Sequence, residues 1–157
     1  MTTDPRSLCL VFRAGGERVA IKSGDVQKVT PRPHVSRLPR LPPHLLGIAQ
    51  HRGRVITVVD VVRVLFPDAP AHDAGAPVRA RGDERLLILE RPARHVGLLV
   101  DAVDEIETLA LPDDLPAGPS PALRLVQHKG RALPVVDALR LARALGVTGD
   151  DAAAPRS

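Results

Sequence analysis

His51-Arg52-Gly53-Arg54-Val55-Ile56-Thr57-Val58-Val59-Asp60 recurs in this chain with four of its ten residues changed. A shift of 77 positions brings it onto His128-Lys129-Gly130-Arg131-Ala132-Leu133-Pro134-Val135-Val136-Asp137. The same shift extends outward without a gap. It places Leu10 on Leu87, Val19 on Val96, Val26 on Val103, Val29 on Ile106, Leu38-Pro39 on Leu115-Pro116 and Gln50 on Gln127. About a quarter of the positions from Leu8 to Phe66 are identical in the copy, and many others stay apolar. Chance does not hold one register over almost sixty residues, so the chain is an internal duplication.

Each copy reads as five short strands. Leu8 to Phe12 is an apolar run of strand length, and Ala14-Gly15-Gly16 is a turn signal. Arg18 to Lys22 alternates, which puts Val19 and Ile21 on one face. Gln27 to Pro31 is the third strand. Pro31, Pro33, Pro39, Pro42 and Pro43 make a connection that no central strand could contain. Leu45 to Gln50 and Val55 to Val59 flank a hairpin turn in which Gly53 supplies positive φ. Asp60 is a helix cap before Val61 to Phe66. The second copy ends alike, with Asp137, Ala138 to Leu145 and Gly146 as the stop. Units this small with five strands are expected to close as barrels, because closure removes free edges. The expected organisation is a first barrel over 8–66, a linker over 67–83, a second barrel with its helix over 84–147 and a loose tail over 148–157.

Composition narrows the function. The chain has 157 residues, 44% hydrophobic, with no Trp or Tyr and two Phe, so Val, Leu and Ile must build the core. No apolar run reaches the length that spans a bilayer, and residues 1–7 lack the apolar stretch of a secretion signal. A cytoplasmic protein without direct membrane insertion is the expectation. Cys9 is the only cysteine and lies in Leu8-Cys9-Leu10-Val11-Phe12, so it reads as a core thiol. The net charge is +4, but only Lys22, Lys28 and Lys129 are lysines, and arginine supplies the other 19 of 22 cations. That permits nucleic-acid binding, yet there is no long basic run and almost no aromatic platform for stacking. The six His are scattered without ligand-like spacing, which argues against a metal site. No phosphate loop, nucleophile motif or paired-carboxylate motif occurs, so neither a cofactor nor catalysis is expected.

The pattern resembles a known family. Leu10-Val11-Phe12, a Gly-containing turn, Val19-Ala20-Ile21 and Val26-x-x-Val29 come first. A Pro-rich segment then leads to Leu46-Gly47-Ile48, Arg52-Gly53-x-Val55-Ile56-x-Val58-Val59-Asp60 and later Val96-Gly97-Leu98-Leu99-Val100-Asp101-x-Val103. From near Leu8 to Leu145 this is similar to the CheW family of chemotaxis adaptors. The resemblance implies a mostly β fold of two intertwined, pseudo-symmetric, five-stranded SH3-like barrels. It also implies a non-enzymatic adaptor that holds the regulatory domain of a CheA-like histidine kinase and the cytoplasmic tip of a chemoreceptor. A single-partner structural adaptor and a basic small-barrel nucleic-acid binder are the competing functions.

The family's Asn-Leu-Arg-Gly motif stands here as Gln50-His51-Arg52-Gly53, so Arg52 and Gly53 match while Gln50 and His51 depart. Lys28 stands where the family often has an acidic residue. The resemblance implies that Val26, Lys28, Arg52, Gly53, Val100 and Val103 border a receptor groove between the barrels. Plainer roles compete: Arg52 as a turn cation, Gly53 as turn geometry, and the three valines as core. The two copies also differ in charge. The stretch 24–37 carries Lys28, Arg32 and Arg37 against Asp25, while its counterpart 101–114 carries Asp101, Asp104, Glu105, Glu107, Asp113 and Asp114 with no cation. Two solvated faces that drifted apart would explain this. Head-to-tail association, basic face to acidic face, would explain it equally, with Arg32, Arg37, Asp104, Glu105 and Glu107 at the interface.

Overall fold

The computed structural model describes residues 6–66, 82–90, 93–112, 115–118, 120 and 122–146. Ten strands and two short helices follow one another as β1 (Arg6–Ala14), β2 (Glu17–Lys22), β3 (Val26–Pro31), β4 (Leu45–His51), β5 (Arg54–Asp60), α1 (Val61–Leu65), β6 (Arg85–Leu89), β7 (Val96–Val100), β8 (Ala102–Ala110), β9 (Leu123–His128), β10 (Arg131–Val136) and α2 (Ala138–Ala144). The strands expected from sequence are all present, most of them a residue or two longer than expected. The hairpin turns are built as their residues require. Arg52 and Gly53 have φ of 50° and 78°, and Lys129 and Gly130 have 51° and 75°. Positive φ at both central residues suits the right-handed twist of the flanking strands. Asp60 accepts a hydrogen bond from the Val62 amide, and Asp137 from the Arg140 amide, both at 3.1 Å. These carboxylates are the expected caps of α1 and α2.

The strands form two five-stranded sheets, ordered β8-β1-β2-β10-β9 and β3-β6-β7-β5-β4. We call them barrel I and barrel II. Each uses two strands of one repeat and three of the other, so the expectation of one barrel over 8–66 and another over 84–147 needs correcting. The repeats exchange their β1–β2 and β6–β7 hairpins. The physical reason lies in the crossing after β2. Only a 3-10 turn, Ser23–Asp25, separates β2 from β3, and β3 leaves it to pair with β6 rather than fold back on its own repeat. The rest of the expected linker, 67–81, and the expected tail, 148–157, lie outside the described residues.

The exchange obeys the 77-residue shift. Leu10 pairs with Ile106 as Leu87 pairs with Val29, and Val11 pairs with Glu105 as Ile88 pairs with Lys28. Even the bulge recurs, at Asp104 in β8 and at Gln27 in β3. The parallel pairs Val58–Gly97 and Val135–Ala20 also match.

Three apolar clusters result. Cys9, Val11, Ala20, Leu109, Val126 and Val135 fill barrel I. Ala49, Ile56, Val58, Leu86 and Ile88 fill barrel II. The alternate side chains of the same strands, among them Leu10, Phe12, Val19, Ile21, Leu87, Leu89, Leu98 and Val100, meet between the barrels together with Leu65 and Leu141 of the helices. Val58 and Val135 are both buried at matching places, as the duplication predicts. Each fully buried aliphatic side chain stabilises the fold by roughly 1.5–3 kcal/mol, so the shared core ties the two barrels into one unit.

Candidate functional site

The crossings of the chain place the valines expected at a groove. β3 and β8 begin at the seam between the barrels, directly after the Ser23–Asp25 turn and after Asp101. Val26 and Val103 are half-buried there and pack against the shared core. Val100 is 1% exposed and belongs to that core outright. The groove role expected for Val100 therefore gives way to the plainer one. The side chain of Asp101 helps shape the seam by accepting a hydrogen bond from the Gly15 amide at 2.9 Å.

Beside the seam stands the β4–β5 turn of barrel II. Arg52 is exposed at its tip, next to Gly53, at which an added Cβ would meet nothing within 4 Å. Gly53 thus serves the turn conformation rather than close packing. Arg54 donates to the Gln27 side chain at 3.0 Å and to the Arg94 carbonyl at 3.3 Å, which ties the turn to β3. Lys28 is exposed on the same strand. His51 lies among these cations. Partial burial, then the charges of Lys28, Arg52 and Arg54, hold its pKa below the ordinary imidazole value.

The charges assigned to an association face behave differently from the expectation. Arg32 donates to both oxygens of Glu84 at 3.0 and 3.1 Å, mostly out of solvent, and so serves the fold. Asp104 receives Arg13 at 3.0 Å and Arg18 at 3.6 Å, and Glu105 receives Arg18 at 2.6 Å. Glu107 lies 3.0 Å from Lys129 Nζ and 2.5 Å from His128 Nε2. The acidic strand β8 is therefore neutralised from within, by cations of β1, β2 and the β9–β10 turn. Those cations lie far away in sequence, which is why the stretch 101–114 reads as uncompensated. Arg37 alone of the expected interface set is exposed without an ion pair among the described residues. Asp113 and Asp114 lie outside them.

Two surface features were not expected from sequence. Leu8 and Ile106 are 57% and 62% exposed on neighbouring strands β1 and β8. A cleft of about 300 Å³ opens at the foot of barrel I between Lys22, Asp25, Leu115, Arg124, Asp137 and Leu139. Burial raises the pKa of Asp25 there, Lys22 opposes the rise and Asp137 adds to it. The alternation in β1 and β8 could have revealed the first feature, but nothing local to the sequence reveals the second. Among the described residues no cluster of three or more His, Cys, Asp or Glu could hold a metal ion. No helix among them is long and apolar enough to cross a membrane.

With this architecture in view, comparison with known proteins is decisive. The family model for the CheW-like domain matches residues 8–143. The chain belongs to the CheW-like family. Its curated relatives include FrzA of Myxococcus xanthus, 27% identical over 112 residues, which cover 71% of this chain and 65% of that protein. The chemotaxis protein CheW of Rhizobium meliloti is 29% identical over 110 residues, 70% of this chain and 65% of its own length. PilI of Pseudomonas aeruginosa is 29% identical over 92 residues, 59% of this chain and 47% of its own length. The match thus spans just under two thirds of the FrzA and CheW relatives and about half of PilI. The CheW-like fold extends to the solved structure of the scaffolding protein TtCheW from Thermoanaerobacter tengcongensis. It is similar with a TM-score of 0.66 at 20% identity, over 83% of this chain and 88% of that one. The CheW-like fold of two SH3-like barrels is borne out.

Proposed function

We propose that this CheW-like chain is a non-enzymatic adaptor that couples the cytoplasmic tip of a chemoreceptor to the regulatory domain of a CheA-like histidine kinase. The observation that carries this is the CheW-like match along both barrels, joined to a half-buried apolar seam at Val26 and Val103 with the exposed cations Lys28 and Arg52 at its rim. An amphipathic receptor helix would lay its apolar face on the seam, and Arg52 and Lys28 would orient it. Apolar contact would supply most of the affinity, while charge would set orientation and rate of encounter. Head-to-tail association through β8 requires Asp104, Glu105 and Glu107 to exchange internal partners for external ones, so it is expected to be weak and to fall as salt rises.

A pull-down with two baits, a kinase regulatory domain and a receptor tip, tests the coupling role. Both should be retained. Arg52→Glu should weaken receptor retention and leave the melting temperature nearly unchanged. Retention of neither bait removes the coupling role, and retention of only one makes the chain a single-partner adaptor. A large drop in melting temperature would make Arg52 structural.

A further inference from the structure

The cleft at the foot of barrel I holds charges that the strand framework does not need. The 77-residue shift sets Lys22 against Leu99, Asp25 against Ala102 and Arg124 against Gly47. Barrel II keeps the same strand order with a leucine, an alanine and a glycine at those places. Only Asp137 has a charged counterpart, Asp60, and both cap helices. Arg124 is partly engaged, since it donates to the Leu115 carbonyl at 2.9 Å and lies 3.5 Å from Asp137. Lys22 and Asp25 differ. Among the described residues neither side chain has a hydrogen bond or an ion pair. Asp25 is nevertheless half-buried. Its carboxylate has lost water without gaining a donor, and burial raises its pKa, with Lys22 opposing the rise and Asp137 adding to it. A carboxylate left in that condition inside a cleft is poised for a ligand.

We propose that this cleft binds a free α-amino acid with a branched aliphatic side chain, its ammonium on Asp25 and its carboxylate on Lys22 and Arg124. The volume of about 300 Å³ lies at the low end of small-molecule sites, which suits one amino acid rather than a nucleotide or a large cofactor. Leu111, Leu115 and Val135 form an apolar wall for the side chain. The charges select the head group. Lys22 and Arg124 repel a metal ion, while Asp25 and Asp137 repel a phosphate. A ligand of either sign alone leaves the opposite charge of the cleft without a partner. A zwitterion satisfies both at once. Lys22 and Asp25 flank the Ser23–Asp25 turn and stand three residues apart, so the two signs are presented close together, as on the α-carbon of an amino acid. Arg124 has guanidinium donors beyond those bonded to Leu115 and Asp137. Charge assistance makes such hydrogen bonds shorter and stronger than neutral ones. The inference goes beyond the adaptor reading and does not rest on it.

The intact chain tests it by NMR titration with three probes: leucine, isoamylamine, which is leucine without its carboxylate, and isocaproate, which is leucine without its ammonium. Leucine should shift the resonances of 22–25, 124 and 135–139 and raise the melting temperature. Each of the other two should bind about tenfold more weakly, the loss of one charge-assisted contact. Two variants assign the charges. Asp25→Asn should weaken leucine about tenfold and leave isocaproate unchanged, because isocaproate brings no ammonium. Lys22→Met should weaken leucine and leave isoamylamine unchanged. No response of these residues at millimolar leucine overturns the proposal. So does isoamylamine or isocaproate binding as tightly as leucine, which would make the cleft a site for one sign of charge. Folded Asp25→Asn and Lys22→Met chains that both bind leucine like the unsubstituted one overturn it as well. If either variant fails to fold, the three probes on the unsubstituted chain still decide. The pull-down with kinase and receptor baits contains no free amino acid, so failure of the cleft leaves the adaptor role standing, and the reverse holds.

Discussion

Barrel I and barrel II share a strand order, a register and a bulge, yet the segments that cover their open ends are built differently. In barrel II the chain after β3 is pinned by two backbone hydrogen bonds between Ser36 and Ile48, at 2.7 and 2.9 Å. That bridge runs so close over β4 that a Cβ on Gly47 would lie 2.1 Å from the Ser36 carbonyl oxygen. In barrel I the counterpart of Gly47 is Arg124, whose side chain reaches the Leu115 carbonyl at 2.9 Å and Asp137 at 3.5 Å. The covering segment is bridged there too, Leu125 donating to the Pro116 carbonyl at 2.9 Å and Gly118 to the Leu123 carbonyl at 2.8 Å, and Leu115, Arg124 and Asp25 line the cleft beside it. One backbone plan thus supports two covers, one lying directly over a glycine and the other fastened by an arginine side chain as well. Duplication preserves what strand pairing demands and leaves side chains free to diverge at the rims.

The sharpest way to break this comparison is Gly47→Ala. The backbone there has φ of 149°, so positive-φ strain and overpacking act together, and the expected loss is about 3–5 kcal/mol. Arg124→Ala at the matching place should cost only about 1 kcal/mol, the worth of a hydrogen bond and a partly exposed ion pair. Urea denaturation of both variants checks the difference, and similar losses would show that the two ends are sealed alike.

Next in size, Val58→Ala and Val135→Ala should each cost roughly 1–3 kcal/mol and agree with each other within about 1 kcal/mol. A wide disagreement in the same denaturation series would mean that the two barrel interiors are not equivalent.

Cys9 offers a probe of barrel I alone, because its counterpart in barrel II is Leu86. Burial, opposed by Lys22 and reinforced by Asp25, pushes its thiol up to about 11. The native thiol should resist a thiol-specific reagent at neutral pH and react only when barrel I opens. Rapid labelling of the folded chain would show that barrel I opens readily in the native state.

The smallest effect is in acid. Glu107 has a folded pKa below its unfolded value, so its stabilising share is full above the unfolded pKa and is lost as pH falls through the folded one. His51 also has a lowered folded pKa, but for a base this means that protonation favours the unfolded chain. Its cost therefore sets in at higher pH, as the solution falls below the ordinary histidine value. Stability against pH should show two steps, the upper removed by His51→Gln and the lower by Glu107→Gln. Melting curves across that range would reveal them, and a profile unchanged by both substitutions would dissociate the charges from stability.

Much of the fold is legible in the residues. Periodicity gives the strands, Arg52-Gly53 and Lys129-Gly130 give the hairpins, and Asp60 and Asp137 give the helix starts. Partnership between strands is not legible from local pattern. A duplicated chain offers β3 two apolar hairpins of matching pattern, β1–β2 and β6–β7, and nothing in Val26–Pro31 distinguishes them. The site is legible only in part for a related reason. Arg13, Arg18, His128 and Lys129 reach Asp104, Glu105 and Glu107 across the sheet, so a charge count along one stretch overstates its free charge. Setting Thr30 against Glu107 under the 77-residue shift shows from sequence alone that barrel II lacks the acid of barrel I at this place.

The exchanged hairpins carry a consequence for how this protein is made. Barrel II has all its strands once Val100 has emerged, but barrel I needs Arg6–Lys22 and also Arg131–Val136, so it cannot be completed until Val136 has left the ribosome. Pairings this distant in sequence are slow to form, and the early strands must wait with unpaired edges. A lone repeat would face the same demand and could satisfy it only with a second copy of itself, trading hairpins as swapped dimers do. The duplicated chain is, in that light, a homodimer whose two subunits have been joined end to end.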